Sequence, residues 1–424
     1  MTVNRVVITG MGIVAPNAVG VAAYRHALCN GKSGISHQPQ MKDLDFGCQV
    51  AGVPDISDRM ADAFWDPELL RNSNSSMKYA LIAAVDCWRD AGLQLPKRDS
   101  DTDWQTAAII GTSGGGIDTI GEFVAPEVAA RRVRRLGSSA AERVMVSCMS
   151  ACVGGLLGLG GPVTTNSSAC SSGTEAIINA YWMIREGRMD RVLAGSSEPS
   201  SIHTWACLDA MRVTMRKSNE APEKAARPLS ATAGGLVPSG GAGILLLENL
   251  ASAKARKARN YAEVLGGYSN SGGQRNGGST TASNPEGIQR CVQQALEVAK
   301  TRPTEIDYVN GHLTGTGADT KEIRCLSAAL GRTLAEMPWV NATKSLIGHG
   351  LGASGSMESV AAVLQLAHGF IHASVNCEDF HPEIAELAPR VPQTSLSAKF
   401  RLALKTSFGF GDVNSCAVFS RWDD

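Results

Sequence analysis

Short β-branched runs that break into glycine-rich turns, each followed by a helical pattern, recur along this chain and constrain its fold more than any other feature. Residues 6–9 run into Gly10-Met11-Gly12, residues 107–110 into Gly111-Thr112-Ser113-Gly114-Gly115-Gly116, and residues 191–194 into Gly195-Ser196-Ser197. Residues 243–247 close a first half, and residues 250–259 read as a charged helix. The pattern then restarts, with a strand over 262–267, a helix over 288–300, a strand over 306–310 and a final strand pair over 403–406 and 416–420. Strands alternating with helices predict a layered α/β fold. Residues 106–116 and 307–317 each pass from a strand into a Gly/Thr turn, which predicts a duplicated fold. With 424 residues the chain exceeds the size at which single cores divide. No low-complexity linker separates the halves, so they are expected to share a wide interface.

Charge and cysteine content narrow the function classes. Lys+Arg and Asp+Glu balance at 40 each, so no basic excess points to nucleic acid. Eleven cysteines, an odd number without repeating spacing, argue against a disulfide framework and for a reducing cytoplasm. Residues 1–10 lead into a strand with no signal-peptide pattern. Residues 144–163 carry no charge, but their glycines, serines and Pro162 make them weakly apolar for lipid. They read as a helix buried on all sides, and no membrane span is expected. Gly10-Met11-Gly12-Ile13-Val14-Ala15 matches a dinucleotide fingerprint, yet Pro16 interrupts the helix that should follow and no acidic residue ends a second strand, so a tight turn is expected there.

The chemistry centres on Asn166-Ser167-Ser168-Ala169-Cys170-Ser171-Ser172-Gly173-Thr174, where small residues crowd one thiol just before an apolar helical run. That setting places Cys170 at a helix N-terminus, whose unpaired N–H groups favour a thiolate. The rival reading is a buried structural cysteine. Of eight histidines, His312 and His349 stand out because glycines and threonines wrap both, leaving room for a ligand. Cys148 and Cys152 have a spacing that could take zinc, but no second pair of that kind lies in the chain, so no metal site is expected.

Four separated motifs in order carry a resemblance to a known family: Arg5-Val6-Val7-Ile8-Thr9-Gly10-Met11-Gly12, the Cys170 segment, the His312 segment with Thr343-Lys344-Ser345-Leu346-Ile347-Gly348-His349, and Ser407-Phe408-Gly409-Phe410-Gly411. The chain resembles the β-ketoacyl-[acyl-carrier-protein] synthases of the thiolase superfamily, nearly end to end. It looks most like bacterial synthases I and II and the ketosynthase subunits of type II polyketide systems. The resemblance implies a thiolase-like duplicated αβαβα five-layer fold, with residues 1–255 carrying the nucleophile and 256–424 the histidines. It implies Cys170 as acyl carrier, His312 and His349 as the decarboxylation pair, and Lys344 and Glu358 as the polar network behind them. The amides of Cys170 and Phe408 would form the oxyanion hole, and Phe408 would gate malonyl entry. Thr314 and Thr316 match threonines that contact pantetheine, Asp319 and Glu322 match further acidic positions at the substrate site, and Gly114 aligns with the acyl-pocket gate and leaves it open. The reaction implied is decarboxylative condensation of malonyl-ACP with the acyl group on Cys170, without cofactor or metal. Thiolases carry a second cysteine in the C-terminal turn, where this chain has Phe408 and Phe410.

Departures from the family pattern qualify the substrate. Residues 227–241 lack several of the family's fixed charges, Asp412 and Val413 replace Gly-Thr, and Leu313 replaces a glycine beside His312, which is expected to narrow the pantetheine channel. These changes favour a specialised polyketide, polyene or alkyl-resorcinol pathway over general fatty-acid synthesis. Expected partners are acyl carrier protein and a second subunit, in a homodimer or a heterodimer with a ketosynthase-like chain. Arg131-Arg132-Val133-Arg134-Arg135 is a candidate basic rim for the carrier, or a solvated helix face. The alternative function is a non-catalytic, carrier-binding subunit, which predicts no acylation of Cys170.

Overall fold

The computed structural model describes residues 3–62 and 65–423; Met1 and Thr2, part of the segment searched for a signal pattern, lie outside them. The first half contributes strands β1 (Val6–Ala15), β2 (Thr106–Gly111), β3 (Val163–Thr164), β4 (Arg191–Glu198) and β5 (Gly241–Asn249). The second contributes β6 (Ala262–Ser271), β7 (Tyr308–Asn310), β8 (Trp339–Asn341), β9 (Leu402–Gly409) and β10 (Val413–Arg421). Their spatial order is β8-β7-β9-β10-β6-β1-β5-β4-β2-β3. Counted outward from the centre, each half repeats the other. β1–β5 and β5–β4 are antiparallel, then β4–β2 and β2–β3 parallel. β6–β10 and β10–β9 are antiparallel, then β9–β7 and β7–β8 parallel. The two Gly/Thr turns that rhyme in sequence follow β2 and β7, which occupy equivalent places. β1 and β6 join the halves through Val6↔Val264, Val7↔Glu263 and Ile8↔Ala262.

Six helices make the remaining layers: α1 (Ser75–Asp90), α2 (Cys148–Leu157), α3 (Ser172–Arg185), α4 (Pro285–Val298), α5 (Ala318–Leu330) and α6 (Ser354–His368). α3 and α6 touch each other and strands of both halves, so they form the middle layer, while α1 and α4 cover the outer faces. The five-layer α/β architecture expected from the sequence is the one observed. Apolar clusters fill the spaces between layers, one around α3 and α6 and one under each outer helix pair. Each Leu, Ile or Val fully buried there is worth roughly 1.5–3 kcal/mol.

Three sequence expectations need revision. β1 does not stop at Thr9 but continues through Gly10 and Gly12, which pair with Leu246 and Ile244 of β5. The glycines serve close packing: a Cβ at Gly12 would lie 1.8 Å from the Ala83 carbonyl oxygen of α1. The fingerprint-like motif is therefore a strand pressed against a helix. The helix buried on all sides is α6, in which every residue from Ser354 to Leu366 is buried. Residues 144–163 instead give the ten-residue α2, whose Ala151 and Gly155 are exposed. The charged helix at 250–259 ends at Ala255, and Arg256 turns back to pair with the buried Glu248 at 2.6 Å. Among the described residues no helix is long and apolar enough to cross a membrane.

Candidate active site

The fold brings three turns to one point. The first follows β3, where Ala169 takes a left-handed φ of 49° and Cys170 stands just before α3. The Ser172 hydroxyl donates to the Ala169 carbonyl at 2.7 Å and accepts from the Ser168 amide at 2.9 Å, which closes the turn. The second follows β7 and carries His312, and the third precedes α6 and carries His349. Leu313 (φ 26°) and Leu351 (φ 48°) adjoin these histidines. Non-glycine residues in the left-handed region cost energy and concentrate at functional sites. All three turns have one.

The Cys170 sulfur and one ring nitrogen from each of His312 and His349 all lie within 4.8 Å of one another. The rings meet edge to face, centroids 5.3 Å apart. Their outer nitrogens fix the tautomers. The Lys344 ammonium lies 3.3 Å from His312 Nδ1, and the Leu351 amide donates to His349 Nδ1 at 3.1 Å. An ammonium and an amide have only protons to give, so both Nδ1 atoms accept. Both Nε2 atoms then carry their protons toward Cys170. Burial first, then Lys344, hold both imidazoles well below the ordinary histidine value, so they are neutral donors. The same cluster could be considered for a metal ion, but protonated Nε2 atoms and nearby ammonium groups oppose a dication.

Cys170 differs from the sequence expectation. Burial pushes its thiol up to about 11, against the lowering pull of Lys344 and of the Phe410 amide. Desolvation is the largest influence on this group, and it favours the thiol over the thiolate. The second amide assigned by resemblance to Phe408 also moves: the one that reaches the sulfur belongs to Phe410. Phe408 lies in β9 opposite Asn414 and presents its ring to His312 at 6.1 Å. Gly409 lets this turn approach, since a Cβ there would lie 2.9 Å from the Ser168 carbonyl oxygen and 3.0 Å from the Cys170 nitrogen. Sequence reading missed Phe410, although its place between Gly409 and Gly411 marked a turn.

A cavity of about 660 Å³ opens onto these groups. Cys170, His312, His349, Phe408, Thr314, Thr316 and Glu322 are on its wall. The two threonine hydroxyls bond to each other at 2.9 Å. Lys344 and Glu358 stand behind the wall, 2.5 Å apart and buried, and Lys344 also donates to the His312 carbonyl at 2.6 Å. Glu322 accepts from the amides of His312 (2.7 Å) and Leu313 (2.8 Å), and burial raises it to about 7. Asp319 is not on the wall. Its oxygens accept from the amides of Leu229, Thr314 and Gly315, so it holds the loop that carries Thr314. Leu313 packs into the second half's core and does not narrow the channel.

Gly114 is off the wall as well. Its open side faces Glu198, whose Oε1 lies 2.8 Å from where a Cβ would be, so the space is filled by a buried carboxylate. Glu198 accepts from Ser113 and from the Gly352 amide, which ties β4 to the His349 turn. Asp412, at φ 62°, accepts from the amides of Gln274 and Asn284, both at 2.8 Å, and so pins the Phe410 turn to the loop bearing Thr281 and Ser283 on the cavity mouth. In the altered 227–241 segment Leu236 is on the wall, and Arg227, Ser230 and Thr232 all bond to Asp379. The arginine-rich stretch at 131–135 is exposed and off the wall, with Arg132 paired to Glu127 at 2.9 Å. The cation on the wall is Lys321.

Comparison with known proteins agrees with this geometry. Residues 3–253 match the beta-ketoacyl synthase N-terminal domain and residues 261–378 the C-terminal domain. A Streptomyces halstedii protein assigned by name to the polyketide beta-ketoacyl synthases is 35% identical, covering 98% of both chains. The 3-oxoacyl-[acyl-carrier-protein] synthase 1 of Haemophilus influenzae is 33% identical over 99% of this chain and 100% of its own. Among solved structures, a type II polyketide synthase acyl-carrier protein in complex with its ketosynthase, bound to the hexaketide, superposes with a TM-score of 0.88 at 27% identity, over 99% of this chain and 100% of that one.

Proposed function

This chain belongs to the β-ketoacyl synthase family, and on that premise we propose that Cys170, His312 and His349 perform its decarboxylative condensation. The chain is a condensing acyltransferase. Cys170 attacks an acyl thioester; its sulfur–carbon bond forms, and the departing pantetheine thiol leaves with the proton Cys170 gives up. Malonyl thioester then binds and loses CO2, which puts negative charge on its thioester oxygen. The Nε2–H groups of His312 and His349 stabilise that oxygen. The enolate carbon attacks the acyl-Cys170 carbonyl, whose oxyanion takes the amides of Cys170 and Phe410. Collapse releases the β-ketoacyl product and returns the sulfur to be reprotonated.

The observation that carries this reading is that the rings of His312 and His349 converge on the Cys170 sulfur, one nitrogen of each and the sulfur lying within 4.8 Å of one another. Acyl carrier protein, as acyl and malonyl donor, is the partner it requires, with Thr314 and Thr316 lining the pantetheine path. A dimer fits the exposed Ile120, Val128, Val133, Met145 and Val146 on the segment leading to the edge strand β3. The second subunit is a copy of this chain or a ketosynthase-like partner. A cytoplasmic location fits cysteines that are all free. The altered 227–241 segment and Asp412 favour a specialised pathway.

Intact-mass analysis tests the function. The protein is incubated with a panel of acyl-carrier thioesters and then with malonyl-carrier, beside Cys170→Ala. An adduct that is absent in the variant and consumed by malonyl-carrier supports condensation, and the best-loaded chain gives the substrate class. No adduct from any donor would leave only the carrier-binding alternative.

A further inference from the structure

The condensation above uses one lysine, yet the site buries two. Lys405 on β9 is fully buried, and its ammonium lies 2.8 Å from Glu358 Oε2. It also donates to the Thr406 carbonyl and, at 3.3 Å, to the Ser407 hydroxyl. Two oxygens thus accept its hydrogen bonds, and the Glu358 contact is an ion pair. Glu358 Oε1 holds Lys344 at 2.5 Å. One carboxylate thus sits between two ammonium groups, and the ionised trio keeps one positive charge. An apolar side chain at position 405 would leave the Lys344–Glu358 pair complete. Holding that second ammonium in the interior is costly, and burial lowers its pKa against the pull of Glu358 and, further down, Glu322; such groups gather where chemistry is done.

The cluster lies directly behind the histidines. Facing the imidazoles are Cys170 from the turn before α3, Lys344, Glu358 from α6, Lys405 from β9, and Glu322, whose oxygens take the amides of His312 and Leu313. Glu198 lies across the His349 turn, on the Gly352 amide. Lys405 pushes both imidazoles toward the neutral form, after burial and Lys344. The Ser407 hydroxyl that Lys405 touches is shared with Thr174 of α3 at 2.8 Å, which links the lysine to the nucleophile's helix.

We propose that Lys405 is a positioning residue for the histidine pair: its ammonium pairs with Glu358 Oε2, fixes the carboxylate that presents Lys344 to His312, and stands as a second buried cation behind both imidazoles. This rests on the reading of His312 and His349 as a donor pair.

The test uses Lys405→Met and Lys405→Ala in the full-length protein, with folding checked by circular dichroism and solution mass. Acylation of Cys170, read by intact mass, stays within about twofold of wild type, because that step does not use the donor pair. Decarboxylation of malonyl-carrier at pH 7 falls by about tenfold or more. The acid limb of its pH profile moves up by about one unit, since losing a nearby positive charge lets the imidazoles protonate sooner. Ammonium chloride restores decarboxylation in Lys405→Ala, and tetramethylammonium chloride, too large for the gap, does not. An unmoved acid limb, or acylation and decarboxylation falling together without ammonium rescue, would overturn the proposal. If Lys405→Met fails to fold, the profile of Lys405→Gln and the ammonium rescue decide. His312→Asn and His349→Asn run in parallel: decarboxylation intact in both would show that the donor-pair reading failed, whatever Lys405 does.

Discussion

The same place in the two halves carries opposite kinds of chemistry. The turn before α3 offers Cys170 among Ser168, Ala169, Ser171, Ser172 and Gly173, all small and uncharged. The turn before α6 offers His349 beside His312, and behind them the second half buries Lys344, Glu358, Lys405, Asp319 and Glu322. On the proposed reading, one half holds the nucleophile with little field of its own, and the other builds a field and aims it. Even the charge that acts most to lower the Cys170 thiol, Lys344, comes from across the interface. The turn and the helix that starts at it recur in both halves, with different side chains at each.

That division can be broken by separating the two steps. Cys170→Ala should lose condensation by about a thousandfold or more, yet still release CO2 from malonyl-carrier, because the donors lie in the other half. His312→Ala and His349→Ala should each do the reverse, keeping the acyl adduct by intact mass and losing about a hundredfold or more in decarboxylation. If CO2 release disappears with Cys170→Ala, the halves do not divide the chemistry as described.

Acidity sharpens the contrast. Both histidines are held well below their ordinary value by burial and Lys344. The imidazoles should therefore stay neutral from pH 8 through about 6.5, and any change in decarboxylation across that range should come from Glu322, raised to about 7. The folded chain binds fewer protons at these groups than the unfolded chain does, so their contribution to stability is present above about pH 6.5 and lost as pH falls. Cys170 has the opposite sign. Its folded thiol keeps its proton up to about 11, while an unfolded one releases it near about 8.5. Its contribution is thus lost as pH rises past that value. Alkylation of Cys170 by iodoacetamide should be slower at pH 7 than that of a free thiol and climb toward pH 11. Fast alkylation at pH 7 would show that the helix N-terminus overcomes burial after all.

The smallest expected effect is at the seam between cavity mouth and nucleophile. Asp412→Gly removes acceptors from the Gln274 and Asn284 amides but also relieves a left-handed φ. The two changes oppose, leaving a loss of about 1 kcal/mol or less in thermal denaturation. A rise in KM for malonyl-carrier with kcat unchanged would assign Asp412 to the mouth; a fall in kcat would assign it to the Phe410 turn.

Local pattern made the outline of this site legible. Cys170, His312 and His349 were visible because glycines and other small residues clear space around each, and a side chain's type and setting can be read in one place. The duplication was visible in the turns after β2 and β7 because each half keeps the same strand-to-turn passage. What stayed hidden depends on where turns go in space. Phe410 delivers its amide only because the chain bends at Gly409; Lys405 and Glu198 matter only once β9 and β4 lie beside their partners. Gly114 was misread as open space because the carboxylate that fills it comes from residue 198. The uncharged 144–163 stretch reads as a fully buried helix, whereas it is α6 that hides Ser354, Ser356, Glu358, Ser359 and Gln365 in the interior. Hydropathy cannot anticipate polar groups whose partners are supplied by the rest of the fold.

The β1–β6 junction has a mechanical consequence. Residues 6–8 and 262–264 are rungs of one ladder, so the halves cannot part without tearing backbone hydrogen bonds and uncovering the middle helices. A cut between residues 255 and 256 would leave two fragments, each with a raw strand edge and a greasy inner face. Such pieces are poised to stick to anything, themselves included. The intact chain should therefore melt in a single step, nucleophile and field together, with no halfway species in which one survives the other.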